Sequence, residues 1–429
     1  MLTLLLFLAV ISFLIAIHEG GHLISAKLAG VWVHEYSIGF GPALYSRDYN
    51  ETTYSIKPIP FGGYVRMAGE DVSEEGSEDQ QVPEDRKFYS QSPGTKALIS
   101  VSGPLMNILT AVLIMIFVVG LTGTPRISIF GFMEGSPVES SLRVGDQIMS
   151  IEGKDITSTN EINNLIQSNK EEEISITVRR DGELLTYSVV PTYYEDQGRY
   201  MLGVELGTAM TNKVNNVAQE SFLAEAGLER GDTIVEVNGE PVNDGPAIIA
   251  ALEEIPEEKP IILSVRKKGE KGAVELEAGS AQDIYGALGL ETIRTPVGPI
   301  RAITDGLDQI KNIMVLTYQG LRLVIRGNIP AGEAVTGPVG IANMLGQSAR
   351  QGLYPLFFLI ALISLNLGLI NLVPFPALDG SRIGYAAYEF IRGKPIPPEK
   401  EGLINSIGFI ILIGLMIFIT YKDIVNFFT

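Results

Sequence analysis

Four long apolar stretches set the strongest limit on what this 429-residue chain can fold into. They cover residues 2–17, 97–121, 355–373 and 403–421. A helix needs about 20 apolar residues to cross a bilayer. The last three stretches reach that length, and the first does so only if it continues through His18 and His22. We therefore expect a multi-pass α-helical membrane protein with four transmembrane helices.

The first apolar stretch is not typical of a cleaved signal peptide. Its start carries no Lys or Arg, and no small-x-small cleavage site precedes the polar residues that follow. We expect it to be retained as a transmembrane helix.

Basic residues near the ends of the apolar stretches predict the orientation of the chain, because loops rich in Lys and Arg stay in the cytoplasm. The loop after the first stretch and the loop before the last carry them: Lys27, Arg47, Lys57, Arg66, Arg86, Lys87 and Lys96, then Arg382, Arg392, Lys394 and Lys400. Both chain ends, and the long segment between the second and third helices, are then expected outside the cytoplasm. The acidic run from Glu70 to Asp85 counts little in this rule and is typical of a solvated segment.

The charge and the scarcity of two residue types narrow the chemistry. A net charge of −18 argues against a nucleic-acid partner, which requires a basic face. The chain has no cysteine, so a metal ion would have to be held by His, Asp or Glu. The three histidines are His18, His22 and His34.

The segment between the second and third helices contains an internal repeat. Residues 142–156 are matched by 228–242, and residues 202–205 by 288–291 at the same offset. Each copy has Gly-Asp before an alternating strand, followed by an Asn-Gly or Glu-Gly turn. This pattern resembles the PDZ domain, which binds an extended peptide at a sheet edge. We expect two α+β PDZ-like domains that either bind peptides or act as spacers and size filters.

The end of the first apolar stretch carries a metal-binding pattern, His18-Glu19-Gly20-Gly21-His22. Two histidines four residues apart share one face of a helix and can ligate one ion. Glu19 lies between them and is placed to accept a proton from the attacking water. Polar residues within an apolar helix are costly and therefore indicate function. The pattern predicts a metalloprotease centre.

The third metal ligand has three candidates from the residues alone. His34 and Glu35 follow the first helix, but the Gly30-Val31 turn separates them from it. Asp379 follows Pro374 and Pro376, which would break the third helix, and by the predicted orientation it reaches the same side as the two histidines.

Taken together, these motifs resemble the bacterial site-2 proteases, the intramembrane zinc metalloproteases of peptidase family M50. The matching segments are Gly39–Pro42, Ile59–Val65, Gly103–Asn107, Gly337–Gly340 and the Asn-x-x-Pro-x-x-x-x-Asp-Gly string at Asn371–Gly380, besides the His-Glu-x-x-His motif. The resemblance implies that His18, His22 and Asp379 bind Zn²⁺, and that Glu19 is the general base. It also implies a cell inner (cytoplasmic) membrane location.

The resemblance further implies residues that handle the substrate. It implies that Tyr54 to Met67 form a membrane-re-entrant β-hairpin, which includes Tyr64 and Val65 and receives the substrate as an added strand. Asn371 and Pro374 are implicated in the same role, although capping and breaking the third helix explain them equally well.

The expected organisation has eight parts. They are transmembrane helix 1 (1–28), a cytoplasmic-side loop with the membrane-associated β-hairpin (29–95), helix 2 (96–122), PDZ-like domains (126–200 and 201–292), an amphipathic helical region (300–350), helix 3 with the third ligand (354–380) and helix 4 (403–422).

The resemblance implies regulated intramembrane proteolysis of single-pass membrane proteins, such as anti-sigma factors or signal-peptide remnants, after a first cleavage. The alternative is a non-catalytic, membrane-anchored PDZ adaptor or quality-control receptor, for which the zinc residues would be dispensable. A serine protease is disfavoured, because only His34 remains as a base and no Gly-x-Ser-x-Gly motif is present.

Overall fold

The computed structural model describes residues 2–70, 79–217, 221–256, 259–267, 270–276, 284–285, 287–328 and 336–428. Residues 71–78 of the predicted solvated run lie outside them. The chain divides into two compact units. The helical unit comprises Met1–Val118 and Gly306–Thr429, and the sheet unit comprises Val119–Asp305.

The helices are α1 (Leu2–Leu28), α2 (Pro93–Thr122), α3 (Thr159–Asn169), α4 (Phe222–Glu225), α5 (Gly245–Glu253), α6 (Pro299–Ile325), α7 (Pro338–Gln351), α8 (Leu353–Asn371), α9 (Asp379–Arg392) and α10 (Pro398–Phe428). The first ten strands are β1 (Val33–Phe40), β2 (Tyr45–Tyr49), β3 (Thr52–Ile56), β4 (Ile59–Met67), β5 (Thr124–Pro125), β6 (Ile127–Phe132), β7 (Gln147–Ile151), β8 (Lys154–Asp155), β9 (Ile174–Arg180) and β10 (Glu183–Val189). The others are β11 (Thr192–Tyr194), β12 (Arg199–Met201), β13 (Val204–Thr208), β14 (Met210–Asn216), β15 (Thr233–Val237), β16 (Glu240–Pro241), β17 (Ile261–Lys267), β18 (Glu270–Leu276), β19 (Gly289–Thr292) and β20 (Arg294–Thr295).

Four helices in the described part of the chain are long and apolar enough to cross a membrane, as predicted. They are Leu2–Leu28, Pro93–Thr122, Leu353–Asn371 and Glu399–Val425. The first runs without a break through His18 and His22, so its apolar stretch gains the length that the sequence left open.

The core of the helical unit lies between α1, α7 and α8, where Phe7, Val10, Leu14, Leu345 and Leu359 are buried together. The start of α7 is tied to the last helix. The carboxylate of Asp423 accepts hydrogen bonds from the backbone N–H of Gly337 (3.3 Å) and Gly340 (2.9 Å). The Gly-Pro-Val-Gly string singled out in the sequence therefore begins a helix that is capped by a residue of α10.

The predicted β-hairpin at Tyr54–Met67 is wrong in its pairing. Strands β3 and β4 both pair with β1, parallel and antiparallel respectively, in a sheet of order β2-β3-β1-β4. The link between β3 and β4 crosses β1 at Gly39, whose φ is +90° and where a Cβ would lie 2.7 Å from the Lys57 carbonyl oxygen. Only glycine permits this crossing. The hairpin is instead β2–β3, closed at Asn50-Glu51 with positive φ at both residues.

The sheet unit contains two six-stranded sheets with equivalent strand orders, β10-β9-β7-β6-β13 and β18-β17-β15-β14-β19. A short strand adds to each, β8 on β7 and β16 on β15. Each sheet has its own apolar core. The repeat in the sequence is therefore a repeat of strand order. The first sheet runs to Thr208, beyond the predicted border at residues 200 and 201, because β13 pairs with β6. The PDZ-like character of both copies stays a prediction.

The predicted amphipathic region at 300–350 comprises α6 and α7, with residues 329–335 outside the described ranges. Large apolar side chains are exposed along α6, including those of Ile300, Leu316 and Tyr318. An apolar exposed face is typical of a helix that lies on a membrane surface.

Candidate metal centre

Three metal-binding side chains converge within the helical unit. His18 and His22 on α1 lie with their Nε2 atoms 3.3 Å apart. The Oδ2 atom of Asp379 lies 3.1 Å from Nε2 of His18 and 3.3 Å from Nε2 of His22. Within the described residues, this is the group whose ligand atoms come close enough to share one ion.

The second ring nitrogen of each histidine faces a polar partner on α2. Nδ1 of His22 donates to the carbonyl oxygen of Ile99 at 2.8 Å, so Nε2 of the neutral ring keeps its lone pair for a metal. The amide of Asn107 lies 3.3 Å from Nδ1 of His18. Asn107 is 1% exposed, and its Oδ1 has no hydrogen-bond partner among the described residues. Rotating this amide by 180° gives Oδ1 the Nδ1–H of His18 as a donor.

Glycines allow α1 and α2 to approach closely at the centre. A Cβ at Gly21 would lie 2.4 Å from the carbonyl oxygen of Ser102, and a Cβ at Gly103 would lie 2.2 Å from Nε2 of His22. Ser25 and Ser102 also share a hydrogen bond of 2.7 Å between their hydroxyls. Close packing of the two helices therefore requires Gly21 inside the His-Glu-x-x-His motif and Gly103 at the start of the Gly103–Asn107 string.

Asp379 is the first residue of α9 and follows a non-helical loop. Helix α8 ends at Asn371, so the segment containing Pro374 and Pro376 redirects the chain toward α1. A Cβ at Gly380 would lie 2.3 Å from the carbonyl oxygen of Val373. Asp379 thus provides the carboxylate, and the next residue must be glycine because the backbone there leaves no room for a side chain.

A cavity of about 1000 Å³ opens onto these three side chains. Glu19 lines it beside them, and so does β4 at Gly62, Gly63 and Val65. A Cβ at Gly63 would lie 3.3 Å from Cγ of Glu19, so the bare backbone of β4 comes close to the glutamate. In the described order β2-β3-β1-β4, strand β4 forms an edge of its sheet.

The other two candidates for the third ligand lie elsewhere. Nε2 of His34 is 2.6 Å from Oδ1 of Asp79. Glu35 accepts hydrogen bonds from the hydroxyls of Ser55 and Tyr64, both at 2.5 Å, and lies 3.0 Å from Nζ of Lys57. Burial raises the pKa of Glu35, but these hydrogen bonds outweigh it and leave the pKa below its ordinary value.

The four predicted substrate-handling residues have different surroundings. Tyr64 and Asn371 line the cavity, although the hydroxyl of Tyr64 is engaged by Glu35 and Lys57. Val65 lines it too, with most of its side chain buried against an apolar cluster. Pro374 lies in the loop that follows α8, outside the cavity lining.

The donor set fits a zinc ion. Two neutral imidazoles and one carboxylate are a common set for catalytic zinc, which keeps a further position for water. The fixed protonation of His22 at Nδ1 and the shared approach of the three ligand atoms meet its geometric needs.

Comparison with known proteins decides the family. The model of peptidase family M50 matches residues 6–415. The chain belongs to peptidase family M50. The M50 chain is 30% identical to the regulator of sigma-E protease of Escherichia coli over 97% of both chains, and 29% identical to the regulator of sigma-W protease of Bacillus subtilis over 99% of both. It is 27% identical to the zinc metalloprotease RasP of Oceanobacillus iheyensis over the full length of both.

These matches make the M50 chain a zinc metalloendopeptidase of the site-2 protease type, and they decide against the adaptor hypothesis. Among solved structures, the PDZ domain of an SdrC-like protein from Listeria monocytogenes matches 19% of the chain and 85% of that domain, with 21% identity and a TM-score of 0.18. That score is too low to assign the fold of the two sheets.

Sequence reasoning missed two features of the centre. It noted the Gly103–Asn107 string without a role, although an asparagine in an apolar helix is itself a signal of a polar partner. It did not identify any contact between the Asp379 loop and the last helix, because nothing local in the sequence indicates it.

Proposed function

We propose that this M50 peptidase cuts single-pass membrane proteins within the bilayer, after another protease has removed their outer part. The convergence of His18, His22 and Asp379 beside Glu19, in a cavity among apolar helices, carries the proposal. Relatives named as regulators of sigma-E and sigma-W support an anti-sigma factor as the substrate. Signal-peptide remnants are a second proposed class, which those names do not address.

Each residue has a distinct role in this mechanism. His18, His22 and Asp379 hold the zinc ion, which when bound supplies the Lewis acidity that makes water a nucleophile near neutral pH. Glu19 accepts the proton of the attacking water and delivers it to the leaving amide nitrogen. Asn107 and the carbonyl of Ile99 orient the two imidazoles.

Strand β4 would receive the substrate as an added strand. A transmembrane helix hides its carbonyls in internal hydrogen bonds, so it must unwind before water can attack one. An exposed sheet edge compensates the freed backbone groups by hydrogen bonding. Gly63 lets this edge pass next to Glu19, while Tyr64 fixes the strand through Glu35. Val65 anchors the strand by its buried side chain, and Asn371 contacts the substrate from the cavity lining. Pro374 acts indirectly, because it ends α8 ahead of the loop that leads to Asp379.

The basic loops support an orientation with both termini and the sheet unit outside the cytoplasm, in the inner membrane. In this proposal the sheet unit excludes untrimmed substrates by size.

The ligand assignment is tested by metal analysis of the purified wild type beside Asp379→Ala and Glu19→Ala, with cleavage of a model transmembrane substrate measured in parallel. We expect Asp379→Ala to lose both zinc and cleavage, and Glu19→Ala to lose cleavage alone. Zinc retained by Asp379→Ala would contradict the proposed ligand set.

The filter is tested by deleting residues 126–291. The deletion leaves Pro125 and Thr292 as the ends to be joined. Pro125 pairs with Arg294, two residues after Thr292, in a two-stranded sheet, so the two ends are close and a short linker can join them. We expect cleavage of a full-length substrate without prior trimming. Continued dependence on trimming would exclude the size filter.

A further inference from the structure

The loop that leads to Asp379 contains a strained residue. Ala377 has a φ of +72°, in the left-handed region that residues with a side chain adopt at a cost. Asp379 follows two residues later, so the conformation of Ala377 sets the direction in which the proposed ligand leaves the loop. Such a conformation persists only where neighbouring contacts hold it.

Helix α10 makes two contacts with this loop. Oδ1 of Asn405 accepts hydrogen bonds from the backbone N–H of Ala377 at 3.3 Å and from the hydroxyl of Tyr385, on the helix that begins with Asp379, at 3.1 Å. Gly408, about one turn further along, lies against Pro376. A Cβ at Gly408 would lie 2.5 Å from the carbonyl oxygen of Pro376.

We propose that Asn405 and Gly408 are positioning residues that hold Ala377 in its left-handed conformation and thereby keep the carboxylate of Asp379 within reach of His18 and His22. The inference rests on the proposed role of Asp379 as a zinc ligand. It makes the metal affinity of the centre depend on the last helix, whose described residues provide no ligand to the cluster.

A different role for Asn405 predicts a different result. Asn405 also lines the cavity, so it could contact the substrate directly. A substrate contact changes KM and leaves zinc affinity unchanged, whereas a positioning residue changes zinc affinity in the absence of substrate.

The first test measures zinc affinity of the full-length protein in detergent by competition with a chelator. Asn405→Ala is expected to bind zinc about 10-fold or more weakly, as for other residues that orient metal ligands from outside the ligand set. Thr420→Ala is the control on the same helix, because the Thr420 hydroxyl donates to the carbonyl of Met416 within that helix. Its zinc affinity should equal that of the wild type.

The second test asks whether strain is what Asn405 resists. Glycine adopts the left-handed conformation without cost. The double variant Asn405→Ala/Ala377→Gly should therefore recover most of the zinc affinity that Asn405→Ala loses. A double variant that binds no better than Asn405→Ala would show that the strained residue is not what positions Asp379.

A third test uses a matched pair of glycines on α10. Gly408→Ala should weaken zinc binding even though alanine is the better helix former, because its Cβ displaces the loop at Pro376. A Cβ at Gly414 would meet no atom of a neighbouring described residue within 4 Å, so Gly414→Ala should leave zinc affinity unchanged. The pair separates a loop contact from a general effect on the helix.

Asp379→Ala in the same assay separates the two proposals. If Asp379→Ala binds zinc as the wild type does, the ligand assignment itself fails. If Asp379→Ala loses zinc while Asn405→Ala and Gly408→Ala bind it normally, the ligand assignment stands and the positioning role is wrong. A change confined to KM in Asn405→Ala also overturns the positioning role.

Discussion

Asp146 in the sheet unit is a buried carboxylate and Asp379 in the helical unit a half-buried one, and their surroundings differ in kind. Asp146 receives two hydrogen bonds of 2.7 Å from the guanidinium of Arg180 and one of 2.8 Å from the backbone N–H of Arg143. Asp379 instead faces the Nε2 atoms of His18 and His22. Its neighbours present lone pairs when the rings donate from Nδ1.

The difference shows how a carboxylate that stabilises the fold can be distinguished from one that belongs to a metal-binding site. Donors and acceptors are matched around Asp146, so the pair is complete and stabilises its own copy of the repeat. When both rings donate from Nδ1, only acceptors surround the carboxylate of Asp379, and in that tautomer the cluster is complete only with a cation. The second copy of the repeat has a weaker version of this pairing. There Asp232 accepts a hydrogen bond from the Glu229 N–H and lies 3.6 Å from Nζ of Lys267.

The largest effect is expected from a substitution that abolishes peptide-bond cleavage while both units stay folded. Glu19→Gln removes the proposed proton acceptor but keeps the size and hydrogen-bonding capacity of the side chain. We expect cleavage of a transmembrane substrate to fall by about 10²- to 10⁴-fold, the usual contribution of a general base. Bound zinc, measured by metal analysis, should be unchanged. A variant that cuts normally would remove Glu19 from the mechanism.

The second-largest effect is expected from removing the carboxylate of Asp146, which is paired with Arg180. Asp146→Ala leaves Arg180 without its partner, and we expect the free energy of unfolding of the sheet unit to fall by about 3–5 kcal/mol. Hydrogen exchange of β7 and β9 in the full-length protein measures this, and zinc binding should not change. Asp232→Ala should cost less, because Lys267 is 38% exposed and more distant. Equal effects would argue against the pairing as the cause.

A smaller effect tests the close approach of α1 and α2. Gly103→Ala places a methyl group against Nε2 of His22, and we expect zinc affinity to fall about 10- to 100-fold. Gly120→Ala on the same helix would meet the side chain of Ala302 at an ordinary distance of 3.5 Å, and serves as the control. Chelator competition compares the two. Wild-type affinity in Gly103→Ala would mean that the helices separate without disturbing the centre.

The smallest effect is confined to the repeat. Ser158 caps α3 by accepting from the Glu161 N–H, while Glu161 accepts from the Ser158 N–H. Ser158→Ala should lower the stability of the first copy by about 1 kcal/mol. Ser168→Ala, whose hydroxyl donates to the Asn164 carbonyl within the helix, should have less effect in the same hydrogen-exchange measurement. Neither variant should alter zinc binding.

Much of this architecture could be predicted because its signals are local. Apolar length predicted the four helices, and a fixed offset between similar segments predicted two copies of one unit. The pair His18 and His22 could be predicted for the same reason, since residues four apart on one helix always share a face.

Pairing between distant segments could not be predicted in this way. We expected β3 and β4 to pair as a hairpin, but the chain crosses β1 at Gly39, so β1 lies between these two strands. The proposal of Asp379 as the third ligand, ahead of His34 and Glu35, depends on which side chains already have partners in the fold. A residue's type shows which ligand atom it offers, but not whether another group has already taken that atom.

The amino-acid sequence alone determined the four long apolar helices, the repeated copies and the two imidazoles with their glutamate, because each arises from contacts within a few residues or from similarity along the chain. Only the tertiary structure decided where Asp379 lies, which edge of the sheet borders the cavity, and how Asn405 and Gly408 contact the loop at Ala377. These depend on side chains from opposite ends of the chain meeting in space, where close packing and the matching of donors with acceptors select one arrangement.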